Sequence, residues 1–511
     1  MSAGEAGGAW DFSVKNESCG DLWDHPWGEE PRRCGMLKTR RRSPTMNPLP
    51  FQLDREPAAE MLTSYGGVPL VVQTFRSLGL PKAVEQHVHI KQRERGYDES
   101  TFVESFVILN AIGGQCLDDF EQLRADPGLS ELIGHGLPSP EAARNFLYAF
   151  HEDAKIEEAQ LRMRVNEKAY IPGETIALQG LAAVNRAAIA EMGTRCPDQK
   201  IATVDQDATI IESRKREAKT SYEGERGYQP MLAVWAETGL ILSDEFRDGN
   251  VPAMMRPLAT AKAAFGALPP TVEIFYYRAD SASHERELMD WLRNEERKDG
   301  PAGFIGFAIS ARMSEGLAKA IAAVPEDQWK MVKEESDAMR SCAEVPYVPD
   351  EHYENKQSQP LRYVAIRIEK KQGELYDDGT RMRHFAVVTN IEEWSGAKLI
   401  QWHREKAGTI EQVHDVLKNE LAAGVLPCGR FGANAAWLRL AVITLNVLTA
   451  LKRLALPAEY LTARPKRLRF LFLNLAGRVS HHARRMHLRL AGLLARITDM
   501  VQAIEILPIR V

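Results

Sequence analysis

Ile201-Ala-Thr-Val-Asp205-Gln-Asp207-Ala-Thr209 is an apolar run carrying two acids at alternate positions. Successive side chains of a strand point to opposite faces, so the run predicts a strand with Asp205 and Asp207 on one face. The runs on either side extend the pattern. Pro230 to Ala236 and Leu240 to Phe246 are β-rich and separated by the turn Glu237-Thr-Gly239, and a second turn follows at Arg247-Asp-Gly249-Asn. Thr271 to Arg278 is another strand, Ser283 to Arg297 is helical, and Gly303 to Ser310 is a buried strand. This order predicts an α/β domain built on a mixed sheet.

The rest of the chain is organised around that centre. Its 511 residues allow several domains. Residues 1–49 are Gly-rich and charged with little periodicity, which predicts a disordered extension. Residues 50–195 read as a helical domain suited equally to packing, dimerisation or DNA binding. Val68, Leu70, Val71, Phe75 and Leu78 recur at helix spacing there, and Ser139-Pro140-Glu141 starts a further helix. The core is expected over 196–310 and 395–456, with a β-bearing insertion over 311–394. A basic helical region is expected over 457–511. The apolar stretch Leu438 to Leu456 is broken by Arg439, Asn446, Lys452 and Arg453, and reads as a buried helix instead of a membrane span.

Composition excludes several classes. With 65 basic and 70 acidic residues the net charge is −5, so a nucleic-acid surface must be local. The stretch between Glu459 and Asp499 contains no acid and includes Arg464, Lys466, Arg467, Arg478, Arg484, Arg485 and Arg489. It is the expected electrostatic footprint for phosphates; a merely basic helical surface is the alternative. His481, His482 and His487 read as surface histidines of a basic helix. Six scattered cysteines lack zinc-ligand spacing and suit a reducing compartment, so a cytoplasmic protein is expected. Neither a phosphate-binding Gly-x-x-x-x-Gly-Lys loop nor a His-Glu-x-x-His helix is present.

Three acids stand where metal-dependent phosphodiester chemistry needs them. Hard divalent ions want oxygen ligands, and two such ions about 3.5–4 Å apart can activate an attacking oxygen and stabilise a leaving one. On the first strand either Asp205 or Asp207 can bind metal, with the other supporting it. Asp280 ends the run Thr271 to Arg278, at the carboxyl end of a strand where ligands gather. Glu411 lies on a predicted helix from about Glu405 to Ala423, two turns before Lys418 and on the same face. Each also has a plainer explanation: a polar strand face, a helix cap at Asp280, and a solvated amphipathic helix.

Taken together, the motifs resemble the DDE transposases of bacterial insertion sequences from about Pro50 to Leu456. The matching segments are Asp207-Ala-Thr209, Gly227-Tyr228-Gln229-Pro230, Arg247-Asp248-Gly249-Asn250, and Arg278-Ala-Asp280-Ser. Of the family's helical Tyr-(2)-Arg-(3)-Glu-(6)-Lys signature, Glu411 and Lys418 keep the second half, while Arg404 and Ala407 replace the Tyr and Arg. The resemblance implies an RNase H-like mixed-sheet core with a β-rich insertion, flanked by N-terminal and C-terminal helical regions. It also implies Asp207, Asp280 and Glu411 as catalytic metal ligands for two Mg²⁺ ions (Mn²⁺ substituting), with Asp205 as the alternative first acid or a supporting residue. DNA contacts are expected from Arg404, Lys406, Lys418, Arg464, Lys466 and Arg467. The implied activity is cleavage at terminal inverted repeats followed by 3′-OH strand transfer into target DNA, by a dimer or larger assembly on double-stranded DNA. A nuclease that only hydrolyses and a catalytically inactive DNA-binding relic are the alternatives.

Overall fold

The computed structural model describes residues 56, 60–91, 96–163, 168–349, 360–371 and 375–508. The extension expected over 1–49 lies outside the described residues. A short strand, β1 (Leu62–Thr63), precedes a series of helices that includes Val68–Ser77, Glu99–Ile112, Pro140–Tyr148 and Ile176–Arg195. Local chemistry sets their starts. The Asp98 carboxylate accepts the Thr101 N–H, Ser139 accepts from Ala142 ahead of Pro140, and Thr175 accepts from Leu178.

Strands follow in the order β2 (Ile201–Ala208), β3 (Ile211–Glu212), β4 (Lys219–Thr220), β5 (Arg226–Tyr228), β6 (Met231–Trp235) and β7 (Leu240–Glu245). After the helix Pro257–Ala267 come β8 (Ile274–Ala279), the helix Arg286–Arg293 and β9 (Ile305–Ser310). Four more strands, β10 (Lys330–Glu334), β11 (Ala338–Val345), β12 (Arg362–Lys370) and β13 (Met382–Thr389), fall in the segment read as the insertion. Nine of these strands form one sheet in the order β10-β11-β12-β13-β9-β8-β2-β6-β7. β8 runs parallel to β2 and β9 parallel to β8, while β6, β7 and the four strands from β10 to β13 pair antiparallel. The fold is the mixed α/β, RNase H-like architecture that the sequence led us to expect, with β10–β13 widening the sheet beyond β9.

Both faces of β2 are covered, which explains its nearly continuous burial. Behind the sheet, the helix Phe431–Leu454 is long and apolar enough to cross a membrane, but it is buried inside the protein. Several of its polar side chains are bonded. The β6–β7 register shifts between Ala233 and Val234, and the Asn446 side chain there both accepts the Ile241 N–H and donates to the Ile241 carbonyl, each at 2.9 Å. Arg439 forms ion pairs with Asp244 and Glu174. Phe106 of the helix Glu99–Ile112 meets Trp437 edge-on at 6.0 Å, so the N-terminal helices and the sheet share one core. Each large side chain buried there contributes roughly 1.5–3 kcal/mol.

The C-terminal part departs from expectation. Instead of continuous helix, β14 (Gly477–His482) and β15 (Arg485–Leu490) form a hairpin paired to β1, followed by the helix Leu494–Ile506. Met486, Leu488 and Leu490 alternate with polar residues, which is a strand period. The two-residue turn Ala483-Arg484 has positive φ at both positions, matching the twist of a tight hairpin. His481, His482 and His487 are therefore exposed on a hairpin, not on a helix.

Candidate active site at the ends of β2 and β8

The parallel register of β2 and β8 pairs Asp205 with Arg278 and Gln206 with Ala279. Asp207 and Asp280 are the next residues along the two strands, so the sheet brings both acids to one edge. Asp205-x-Asp207 and Arg278-x-Asp280 are thus one motif read across two strands. The inner positions form a buried ion pair and the outer positions present two carboxylates.

The inner pair is closed. The Arg278 guanidinium donates to both Asp205 oxygens, at 2.7 and 2.9 Å, with side chains 2% and 0% exposed. The Thr409 hydroxyl also donates to Asp205. A further Arg278 nitrogen donates to the Trp402 carbonyl at 2.6 Å, and the guanidinium stacks 5.0 Å from the Trp402 ring. Asp205, the alternative first acid, is therefore engaged in holding β2, β8 and the covering helices together. Trp402 packs against Tyr276, Trp394 and Arg278.

The outer pair is more open. The Asp207 carboxylate accepts a hydrogen bond from the Lys406 ammonium at 2.9 Å. Asp280 caps the 3₁₀ turn Ser281–Ser283, accepting the Ala282 N–H at 3.1 Å, so the capping role and a place at this edge coexist. Burial, and then the neighbouring Asp207 charge, raise Asp280 above the ordinary carboxylate range; Lys406 and the backbone N–H groups of Ala282 and Ser283 act in the opposite direction.

The expected helix is seen as Lys406–Glu420, and a break at Glu405 separates it from a preceding helix, Gly396–Arg404. His403 pins the break to the sheet, with its Nε2 3.0 Å from the Ala279 carbonyl, and burial pushes its imidazole down to about 4. Lys406, Thr409, His414 and Lys418 line the second helix where it faces β2. Lys418 donates to the Thr209 hydroxyl at 3.0 Å. Glu411 is exposed on the same helix, and no hydrogen bond or ion pair engages its carboxylate among the described residues.

Divalent-ion chemistry suits the acids at this edge. Asp207 and Asp280 repel each other, and a cation would relieve that repulsion. In the arrangement seen, a lysine ammonium does part of this. Among the described residues, however, no group of three or more His, Cys, Asp or Glu side chains is set as a ligand cluster. The two aspartates come together, and Glu411 stays apart from them.

Of the expected DNA contacts, Lys406 is buried on Asp207 and Lys418 is bonded to Thr209, just past β2. Arg464 is held by Asp415 and Glu420. Arg404 lies 3.9 Å from Glu335. Lys466 and Arg467 remain exposed.

Sequence reasoning missed the role of Arg278 and the small sheet β3-β5-β4 beside the acids. The signal for Arg278 was present as an Arg-x-Asp matching an Asp-x-Asp. The small sheet rests on close backbone contacts. A Cβ on Gly227 would lie 2.1 Å from the Ile211 carbonyl oxygen, and one on Gly249 2.5 Å from those of Gly227 and Lys219. This is the physical content of the Gly-Tyr-x-Pro and Arg-x-Gly-Asn segments. On the loop between β4 and β5, Tyr222 is 75% exposed; its bond to Glu223 and then burial raise its phenol, and the charges of Asp280 and Asp207 add to that.

With this geometry in place, comparison with known proteins gives three findings. The model of the transposase DDE domain, group 1, matches residues 54–508. No characterised protein matches the sequence significantly. Six chains of solved structure match. Among them is a piggyBac transposase synaptic complex with hairpin DNA determined by cryo-EM, 11% identical, with a TM-score of 0.40, covering 81% of this chain and 82% of that one.

Proposed function

Because the chain belongs to the transposases built on the group 1 DDE domain, we propose that Asp207, Asp280 and Glu411 form its catalytic centre, cutting DNA at transposon ends and joining the freed 3′-OH to target DNA. The observation that carries this reading is the β2–β8 register, which sets two strand-end acids side by side beneath the helix bearing Glu411. In this reading the three carboxylates hold Mg²⁺, or Mn²⁺ in its place, as two ions. When bound, these supply an activated oxygen nucleophile and charge stabilisation at phosphorus.

The residues around the centre have distinct parts. The Asp205–Arg278 pair and His403 fix the ends of β2 and β8 against the covering helix, so the carboxylates stand on rigid elements. Lys406 supplies positive charge between the acids and, released from Asp207, can meet a phosphate oxygen. The exposed Lys466, Arg467 and hairpin arginines extend a basic surface for the DNA backbone, and Tyr222 offers an exposed ring beside the acids. Two transposon ends must be held together, so the working form is a dimer or larger assembly on double-stranded DNA in the cytoplasm.

The test is Mg²⁺-dependent cutting by the purified chain of DNA carrying the repeats that flank its gene, beside Asp280→Asn. Cutting at the repeat boundary that vanishes in the variant is the expected result. DNA binding without cutting by either protein would overturn it. That outcome would favour a second reading, a DNA-binding protein without catalysis, for which the Lys406–Asp207 bond and the separate position of Glu411 speak.

A further inference from the structure

A cavity of about 260 Å³ lies against the helix Lys406–Glu420, bounded also by the β6–β7 turn, the end of the helix Phe431–Leu454 and the segment 461–465. Val234, Val413, Val416 and Leu445 give it an apolar part. Thr449, Lys452, Arg453 and Arg464 line it as well, and among the described residues no Asp, Glu or His does. Leu445, Thr449 and Lys452 are spaced by four and three residues, so one helix face carries the apolar, hydroxyl and ammonium groups together. None of the proposed catalytic acids lines this cavity.

The three cations are answered differently. Asp415 and Glu420 take up the charge of Arg464. Lys452 and Arg453 form no ion pair among the described residues and bond only backbone carbonyls: Lys452 that of Ala463 at 3.1 Å, Arg453 those of Thr238 at 2.9 Å and Glu237. These bonds tie the helix end to its surroundings. They use one of the three N–H donors of the ammonium and supply no counter-charge. Thr449 is 5% exposed, and its hydroxyl makes no hydrogen bond among the described residues. Buried polar groups are normally bonded, and an exception calls for an explanation. Burial, and then the Arg453 charge, push the Lys452 ammonium down to about 8, the direction expected of a cation without a carboxylate beside it. An anion would meet both the open ammonium donors and the Thr449 hydroxyl.

We propose that this cavity binds a small amphipathic anion, a carboxylate or phosphate monoester on a short apolar stem, with its head at Lys452, Arg453 and Thr449 and its stem against Val413, Val416 and Leu445. Apolar walls with a few convergent polar groups are the make-up of a small-molecule site, and a volume just under the usual range of roughly 300–1,000 Å³ limits the occupant to a short stem. The site does not depend on the function proposed above. Thr409, which also lines the cavity, is bonded to Asp205, so an occupant would sit against the helix that covers the acids.

The test is titration calorimetry on the full-length chain with hexanoate, hexyl phosphate and hexanol, the last having the stem without the charge. We expect saturable one-to-one binding of an anion, with hexanol at least about tenfold weaker. Lys452→Met keeps the stem of the lysine and should lose on the order of ten- to a hundredfold in anion affinity while leaving hexanol unchanged. Thr449→Val should cost a smaller factor. Anion affinity should also fall as pH rises past about 8, where the ammonium loses its proton, and Lys452→Met should remove that dependence. The other charges on the cavity wall, Arg453 and Arg464, stay protonated across this range. Hexanol binding as tightly as the anions, anion affinity unchanged in Lys452→Met, or no saturable anion binding overturns the inference. Binding of a 5′-phosphorylated oligonucleotide that needs Lys452, with neither hexyl anion bound, assigns the cations to nucleic acid and overturns it too. The comparison of hexanoate with hexanol on the unaltered chain decides the matter should Lys452→Met fail to fold.

Discussion

Asp205 and Asp207 stand two residues apart on one face of one strand, and each meets a cation from a neighbouring element. Yet they sit in different electrostatic settings. Asp205 is fully buried and held at both oxygens by Arg278 and by Thr409. Asp207 has a side chain 20% exposed and one lysine partner whose flexible stem can move. A bidentate buried pair is a structural joint, because removing either partner strands a charge away from water. A partly exposed carboxylate with a single mobile partner is available for exchange. The same residue type on the same face thus does two jobs, and the depth of each residue along the strand decides which.

The most demanding test of this contrast is on activity. Asp207→Asn is expected to abolish repeat-end cutting in a gel assay while leaving the urea midpoint close to that of the unaltered chain. A variant that cuts normally would place the chemistry elsewhere. Asp205→Ala should do the reverse first: it leaves Arg278 buried without its carboxylate and costs about 3–5 kcal/mol in urea unfolding. Replacing both partners together, Asp205→Leu with Arg278→Met, is expected to recover most of that stability. If the double replacement is as damaging as the single one, the pair does more than join two strands.

A smaller effect comes from His403, whose ring is kept neutral by burial beside the joint. Its folded value is lowered from 6.5 to about 4. Its contribution is therefore present above 6.5 and lost as pH falls through about 4, because the unfolded chain takes up the proton first. Stability should decline across that window, and His403→Leu should flatten the decline in denaturant titrations at several pH values. No comparable loss is expected from Glu411→Gln, which is exposed, although cutting should stop. The least effect belongs to the hairpin: Arg485→Ala or Arg489→Ala should each reduce the salt slope of DNA affinity by about 0.9, read by fluorescence anisotropy.

How much of this was legible beforehand follows from the range of the forces involved. The strands around Asp205 and the capped helices were readable because period and capping act over a few residues. The hairpin Gly477–Leu490 was misread as helix because its arginine-rich, β-poor composition hid a short alternation, and pairing with β1 supplied the partner that the local sequence lacked. The basic residues were counted correctly, but their neighbours were not visible. Lys406 and Lys418 turn inward to acceptors far away in sequence, and Arg464 is tied to Asp415 and Glu420.

The sequence by itself determined the class of fold, the identity of the acids and the order in which they occur, since alternation, turns and motif spacing are written along the chain. Only the tertiary structure decided which aspartate is a joint and which stands at the edge, and that Arg278 rather than a metal answers Asp205. The physical reason is that desolvation and ion pairing depend on what lies within a few ångströms in space. For these residues the neighbours come from strands and helices as many as 204 positions apart in the chain.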